Sequence, residues 1–346
     1  ILRCLVGSEM CIRDSCCFSL YNLYIAVAKA MVQNEKIDLV IGSQMPDYKN
    51  KIETIKSLDF INDIYVFDSV DYKNIKYKNI FDKIVNQKNY ENKYINTKLK
   101  IDWTKYKDNI FLFNDFEILG WYFVNNQIRY HLIEDGLNFF KYFNKYYQVN
   151  KVDYDINSLK VRLKNKLNIG HRAFGTNQYV IDIEVNDKNG LAIDRENIIE
   201  IPRKGINDKL TLQQKKLIYG IFCKQKIINN NCNKTLLLCT QPLSEDGQLQ
   251  NLEQQMQIYE DIIKEYTGMG YTITIKPHPR DKADYSNLCE KYNCLYIDKY
   301  IPTEVLNYDD SVFYDLALSI TTTAIETLEF VRERKYLGFE FLERYK

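Results

Sequence analysis

Four short stretches hold the residues whose types and spacing could do chemistry. "HLIEDG" (His131–Gly136) ends an apolar run in two adjacent carboxylates, Glu134 and Asp135, ahead of a glycine that permits a tight turn. Neighbouring like charges raise one pKa of the pair, which suits a general base, although a solvated acidic turn has the same pattern. "IKPHPRD" (Ile275–Asp281) sets His278 between Pro277 and Pro279, with Lys276 and Arg280 beside it. The prolines fix φ and restrict the residues before them, so the imidazole sits in a rigid cationic corner suited to an anionic leaving group. "SITTTAIETLEF" (Ser319–Phe330) gathers Ser319, Thr321, Thr322 and Thr323 between a strand pattern and a helix pattern. Hydroxyls and free N–H groups there bind phosphate as readily as they cap a helix. "TQPLSEDG" (Thr240–Gly247) places Glu245 and Asp246 after another strand pattern, where they serve equally as charges ahead of the next helix.

Other residues carry less. His131 lies inside a strand pattern and reads as structural, and His171 in "GHRAFG" has no assignable partner. "DYD" at Asp153–Asp155 is a DxD triplet of a kind common by chance. There are nine Cys, with Cys16 and Cys17 adjacent and no CxxC, so neither a zinc site nor a disulfide framework is indicated and reduced thiols in a cytosol are expected. A net charge of +1 gives no global case for nucleic acid or a membrane surface as partner. Abundant Lys, Asn, Ile and Tyr with few Ala and Gly point to an AT-rich, bacterial coding bias.

These stretches need elements to position them. Helical spacing in "LYNLYIAVAKAMVQN", "FEILGWYFVNN" and "NLEQQMQIYEDIIKEYTGMG" alternates with short apolar runs such as "KIDLVIGS", "DIYVFDS", "NIFLFND" and "TLLLC". That alternation predicts α/β domains with parallel sheets. At 346 residues the chain is long enough for two. The polar break "KIINNNCNK" is the expected linker, giving an N-terminal domain over 16–230 and a C-terminal domain over 231–346. The chemically suggestive residues fall at strand ends, where such sheets bind ligands.

The front of the chain is different. "EMCIRDS" resembles a translated sequencing adapter, so residues 1–15 are set aside as read-through, and the native start, a first strand and any anchor are expected to be missing. "CCFSL" would then be the remaining end of that strand. The apolar segment "CCFSLYNLYIAVAKAMV" is broken by Asn22 and Lys29 and is too short for a membrane span.

Taken in order, "IEDG", "TQPLSEDG", "KPHPRD", "IPTEVL" and "TTTAIE" resemble the bacterial sialyltransferases of the GT-B fold, from about Ser19 to the end of the chain. The nearest likeness is to glycosyltransferase family 52, the lipooligosaccharide sialyltransferases, with the capsular polysialyltransferases close behind. The resemblance implies two Rossmann-like domains facing a central cleft, the first for acceptor and the second for the CMP-sugar. It implies inverting transfer of sialic acid from CMP-sialic acid to a hydroxyl of a bacterial surface glycan, lipooligosaccharide or capsule, with no metal or other cofactor. Asp135 matches the base of related families, with Glu134 as its neighbour, whereas in family 52 the base has been placed in the loop matched here by Asp246 or Glu245. His278 matches the residue that assists the departing phosphate. Thr321 and Thr322 match paired hydroxyls that hold it, with Ser319 and Thr323 alongside. Glu304 matches the acid that binds the cytidine ribose, and Lys276, Pro277 and Arg280 complete the donor site. The implied setting is the bacterial cytoplasm, at the inner face of the membrane, with peripheral membrane association and a homodimer as further expectations. A polysialyltransferase, an enzyme using another nucleotide sugar, an epimerase and a non-catalytic nucleotide- or glycan-binding protein remain as alternatives.

Overall fold

The alternating runs form two parallel sheets, each in its own compact unit, Ile1–Leu210 and Thr211–Lys346. The computed structural model describes residues 13–68, 78–141, 159, 174–191, 195–227 and 234–345. Residues 1–12, the DxD triplet at Asp153–Asp155 and His171 lie outside the described residues.

The first unit carries β1 (Arg13–Cys17), α1 (Leu20–Gln33), β2 (Ile37–Gly42), α2 (Tyr48–Ile55), β3 (Ile61–Phe67), α3 (Ile80–Leu99), β4 (Ile110–Leu112), α4 (Ile118–Asn125), β5 (Tyr130–Ile133), β6 (Val180–Val185), β7 (Ile198–Glu200) and α5 (Arg203–Lys209). Its strands pair in the order β3-β2-β1-β4-β5-β6-β7, all parallel. Ser19 caps α1 by accepting the Asn22 N–H at 3.1 Å while Asn22 reaches back to the Ser19 N–H at 3.0 Å, two otherwise orphaned donors satisfied together. Most of α1 is buried, Lys29 included. The Lys29 ammonium and the Arg203 guanidinium both bind the Glu184 carboxylate, the latter at 2.6 Å.

The second unit carries α6 (Leu212–Phe222), β8 (Lys234–Cys239), α7 (Leu252–Gly268), β9 (Tyr271–Lys276), α8 (Ser286–Tyr292), β10 (Leu295–Tyr296), β11 (Tyr314–Ser319) and β12 (Val331–Tyr336). Its parallel strands run in the order β10-β9-β8-β11-β12. Leu236, Leu238, Ile273, Ile275 and Leu318 from the central strands pack with Ile258, Ile262 and Ile263 of α7 in one core.

Cys16 and Cys17 end β1, as expected of "CCFSL"; β1 begins in the adapter-like segment at Arg13–Ser15 and pairs with β2 on one side and β4 on the other, in the middle of its sheet. Two expectations are corrected. The units divide at Leu210/Thr211 rather than near residue 230. The cause is α6, which belongs to the second unit: Tyr219 donates to Asp309 at 2.8 Å, and Cys223, just past the helix, joins a core with Leu237, Leu306 and Ala317. The helix expected after the hydroxyl cluster is a short 3-10 turn, Thr323–Thr327. The Arg334 guanidinium takes the Ile325 carbonyl at 2.9 Å and also the Leu328 carbonyl, so the chain leaves the turn and enters β12.

Candidate active site

The four stretches that open the sequence analysis lie at the carboxyl ends of the parallel strands β5, β8, β9 and β11, where open α/β sheets bind ligands. In the first unit β5 runs into Glu134 and Asp135, and Gly136 takes φ +96°, a conformation that side chains other than glycine's resist. The two acids differ. Glu134 is buried and both oxygens are occupied, one by the Phe140 N–H and one by the Asn186 N–H, each at 2.9 Å. It ties the turn after β5 to the end of β6. Burial raises its pKa, against the pull of those N–H groups and Arg203.

Asp135 has one such tie, the Asn22 amide donating to Oδ1 at 2.9 Å from the first turn of α1. Burial raises its pKa and Glu117 adds to the rise, with Asn22 opposing. A carboxylate made more basic, with one oxygen fixed and one available, can accept a proton. Asp135 borders a small opening lined also by Asn114, Asp115, Phe116, Phe139 and Phe174. Asp115 was not singled out by sequence. It is buried, and its carboxylate accepts the Gly175 N–H at 2.9 Å, the Phe174 N–H and the Tyr130 hydroxyl at 3.0 Å. Burial pushes its pKa up to about 6. His131 is structural, as expected: Nδ1 meets Asp182 and Nε2 the Asp108 carbonyl, both at 2.8 Å, with the ring stacked on Phe111.

In the second unit β9 ends at Lys276, whose buried ammonium donates to the carbonyls of Pro277 (3.1 Å) and Lys299 (3.2 Å). Burial lowers its pKa to about 8. The His278 Nδ1 accepts the Arg280 N–H at 3.1 Å, so in the neutral ring the proton sits on Nε2. Burial, then Arg280 and Lys276, pull the His278 pKa down to about 4. The ring is therefore neutral at pH 7 and offers Nε2–H as a hydrogen-bond donor. The turn that carries it is locked by Asp281, a second residue whose part was missed. Its fully buried carboxylate accepts from Thr240 (2.6 Å), Tyr285 (2.8 Å), the Ala283 N–H (2.9 Å) and Gln255 (3.0 Å), and its N–H donates to the His278 carbonyl at 2.9 Å.

Arg280 binds Asp246 with two bonds, at 2.9 and 3.3 Å, so Asp246 is occupied by a cation; Glu245 beside it is exposed and accepts from Ser244. Gln241, quoted in the "TQPL" stretch but passed over for its acids, clamps Thr321: its amide donates to the Thr321 hydroxyl at 2.7 Å and accepts the Thr321 N–H at 2.8 Å. Thr322 caps the 3-10 turn by accepting the Ala324 N–H, Ser319 is buried and donates to the Thr322 carbonyl, and Thr323 opens the turn. Glu304 is half-buried, and desolvation raises its pKa against the pull of Lys276. The structure thus joins Lys276, His278, Arg280 and Asp246 in one cluster and ties Thr321 to Gln241. Glu134 and Asp135 belong to the other unit.

Comparison with known proteins adds a family and a fold. The model of the family described as glycosyltransferase family 52 matches residues 65–336, well over half of the chain. An uncharacterized protein of Haemophilus influenzae is 33% identical over 117 residues, 34% of this chain and 37% of that protein, so the match spans little more than a third of the relative. A solved structure of an alpha/beta-galactoside alpha-2,3-sialyltransferase from the luminous marine bacterium Photobacterium phosphoreum aligns over 93% of this chain and 89% of its own, at 14% identity and a TM-score of 0.53. The GT-B domain of the sialyltransferase from Photobacterium damselae aligns over 94% and 90%, at 14% identity and a TM-score of 0.50. The shared fold is of the GT-B type.

Proposed function

The chain belongs to glycosyltransferase family 52, and from that premise we propose that it is an inverting sialyltransferase that moves sialic acid from CMP-sialic acid to a hydroxyl of a bacterial surface glycan. In this reading the free oxygen of Asp135 accepts the proton of the acceptor hydroxyl. The acceptor oxygen bonds to the anomeric carbon as that carbon's bond to the CMP phosphate breaks, and the electron pair leaves on the phosphate oxygen. The transition state is oxocarbenium-like, so stabilising the departing phosphate is the larger task. His278 meets it with Nε2–H, a hydrogen bond that strengthens as negative charge develops on the phosphate oxygen. Thr321 holds the phosphate by its hydroxyl, presented by Gln241. Glu304 and Lys276 take the nucleoside.

The observation that carries this reading is the His278 turn. Two prolines, the Arg280 N–H on Nδ1 and the Asp281 anchor leave one donor, Nε2–H, in a fixed direction. Hydrogen-bond donors of the chain do the work of a metal here, and the reading carries no metal requirement. The likeness in fold to solved sialyltransferases supports the choice of sugar. Of the candidate bases, Asp135 is preferred to Glu134, whose oxygens are both tied, and to Asp246, which is paired with Arg280. Cytoplasmic location, peripheral membrane association and a homodimer belong to the same reading; no helix among the described residues is long and apolar enough to cross a membrane.

The test is incubation with CMP-sialic acid and lactose in EDTA, with the product's anomeric configuration read by NMR. An inverted sialoside formed in EDTA is expected. A product of retained configuration, or one abolished by EDTA, refutes the mechanism, and transfer from a UDP-sugar instead refutes the donor.

A further inference from the structure

Asn22 joins two tasks in one buried amide. It lies in the first turn of α1 and is 1% exposed. Its Oδ1 accepts the Ser19 N–H at 3.0 Å and the Phe18 N–H at 3.2 Å, while the Ser19 hydroxyl accepts the Asn22 N–H at 3.1 Å. Two backbone donors on one oxygen decide which end of the amide is which, because a flipped amide would set its own N–H groups against both. The Nδ2 group therefore faces away from the cap, and there it donates to Asp135 Oδ1 at 2.9 Å, across 113 residues of sequence. Capping alone does not call for this residue. Its place in a capping box is ordinarily filled by Glu or Gln, and Asn is a poor helix former. Glu has no donor to offer a neighbouring carboxylate, whereas Asn serves the cap with its oxygen and keeps a donor on its other side.

We propose that Asn22 is a positioning residue for the base: the cap of α1 fixes the direction of its amide, the amide fixes Oδ1 of Asp135, and Oδ2 is thereby turned to the acceptor hydroxyl. The proposal rests on the reading of Asp135 as the base, given above. Three further carboxyl groups share this end of the sheet: Glu117 ahead of α4, Asp115 on the same opening, and Glu134, tied by the Phe140 and Asn186 N–H groups. Burial and the Glu117 charge push the Asp135 carboxyl towards its neutral form, and the Asn22 bond opposes them. The same amide thus directs the carboxylate and favours the charged form in which it accepts a proton.

The test uses Asn22→Asp and Ser19→Ala in the full chain. Aspartate keeps an oxygen for the Phe18 and Ser19 N–H groups and replaces the donor to Asp135 with a second carboxylate oxygen. With CMP-sialic acid and lactose, Asn22→Asp is expected to lower kcat about 10- to 100-fold at pH 7, with Tm and the acceptor KM little changed and the acid limb of kcat raised by about one pH unit or more. Ser19→Ala removes the cap hydroxyl and leaves the Asn22 amide on the Ser19 N–H, so it is expected to lower Tm by a few degrees and leave the acid limb in place. An acid limb that Asn22→Asp does not move, or a loss of kcat that follows Tm in both variants, overturns the proposal. Transfer by Asp135→Asn at the wild-type rate overturns the base assignment and the proposal with it. If the wild type transfers no sugar, the activity reading has failed, and the tie is read instead by NMR titration of the Asp135 carboxyl carbon, identified by its loss in Asp135→Asn. A titration raised by about one pH unit or more in Asn22→Asp upholds the positioning of Asp135; an unchanged titration overturns it.

Discussion

Asp14 sits in the middle of the first sheet, between β2 and β4 and opposite Asp38 in register. It is fully buried, its Oδ1 has no hydrogen-bond partner, and the Cys16 thiol is 3.7 Å from Oδ2. Burial first, and the Asp38 charge second, push its pKa from 3.8 up to about 8. The folded state therefore holds this proton more tightly than the unfolded state. The penalty is absent below about pH 4 and grows as pH rises from there to about 8. At about 1.36 kcal/mol per pH unit over the 3.2 units from 3.8 to pH 7, it reaches about 4 kcal/mol, a large share of the 5–15 kcal/mol that holds a typical domain folded. Asp14→Val replaces the carboxylate with a β-branched residue suited to a strand. Urea unfolding at pH 5 and pH 7 is the assay. The variant should gain stability at both, and by about 3 kcal/mol more at pH 7, from the two pH units between. An equal gain at both, or a loss at pH 7, refutes the reasoning.

The two acids of the first unit should separate by substitution. Asp135→Asn should cost about 10²–10⁴ in transfer rate with little change in Tm, whereas Glu134→Gln, which loses one of its two charge-assisted bonds, should lower Tm by several degrees. Because burial raises the Asp135 pKa, the acid limb of kcat/KM should lie above the ordinary aspartate range, and Asp135→Glu should move that limb. Asp281→Asn should loosen the His278 turn and lower kcat more than the donor KM, since it replaces an anion that accepts four bonds; a KM effect alone would count against a positioning role. Glu184→Gln should destabilise the first unit by about 3–5 kcal/mol, read by urea unfolding, because it leaves the Lys29 and Arg203 charges buried without their shared partner.

Much of this was legible in the sequence because period and strand-end chemistry are local. "KIDLVIGS", "NIFLFND" and "YTITIK" form parallel strands, and "LYNLYIAVAKAMVQ" forms a capped, buried helix. The turns at Gly136 and His278 follow from glycine's freedom and proline's restriction. What escaped depends on partners distant in sequence. Asp115 reads as one more acid until Phe174 and Gly175 return to it from 59 and 60 residues away. Asp281 reads as the end of a motif until Thr240 and Gln255 converge on it. Gln241 was passed over because an amide carries no charge to notice, yet it fixes Thr321 by two bonds. The unit boundary was displaced because a polar stretch was taken for a linker, whereas packing of α6 decides the division.

The central claim is that His278 carries the departure of CMP by a single directed N–H. The direct measurement is acceptor-stimulated release of CMP from CMP-sialic acid, in EDTA, for the wild type and His278→Ala. The account predicts release that lactose stimulates and that the variant loses by about 10²–10³, with its unfolding transition unchanged. Release by His278→Ala at the wild-type rate, or no release from CMP-sialic acid by the wild type, would contradict it.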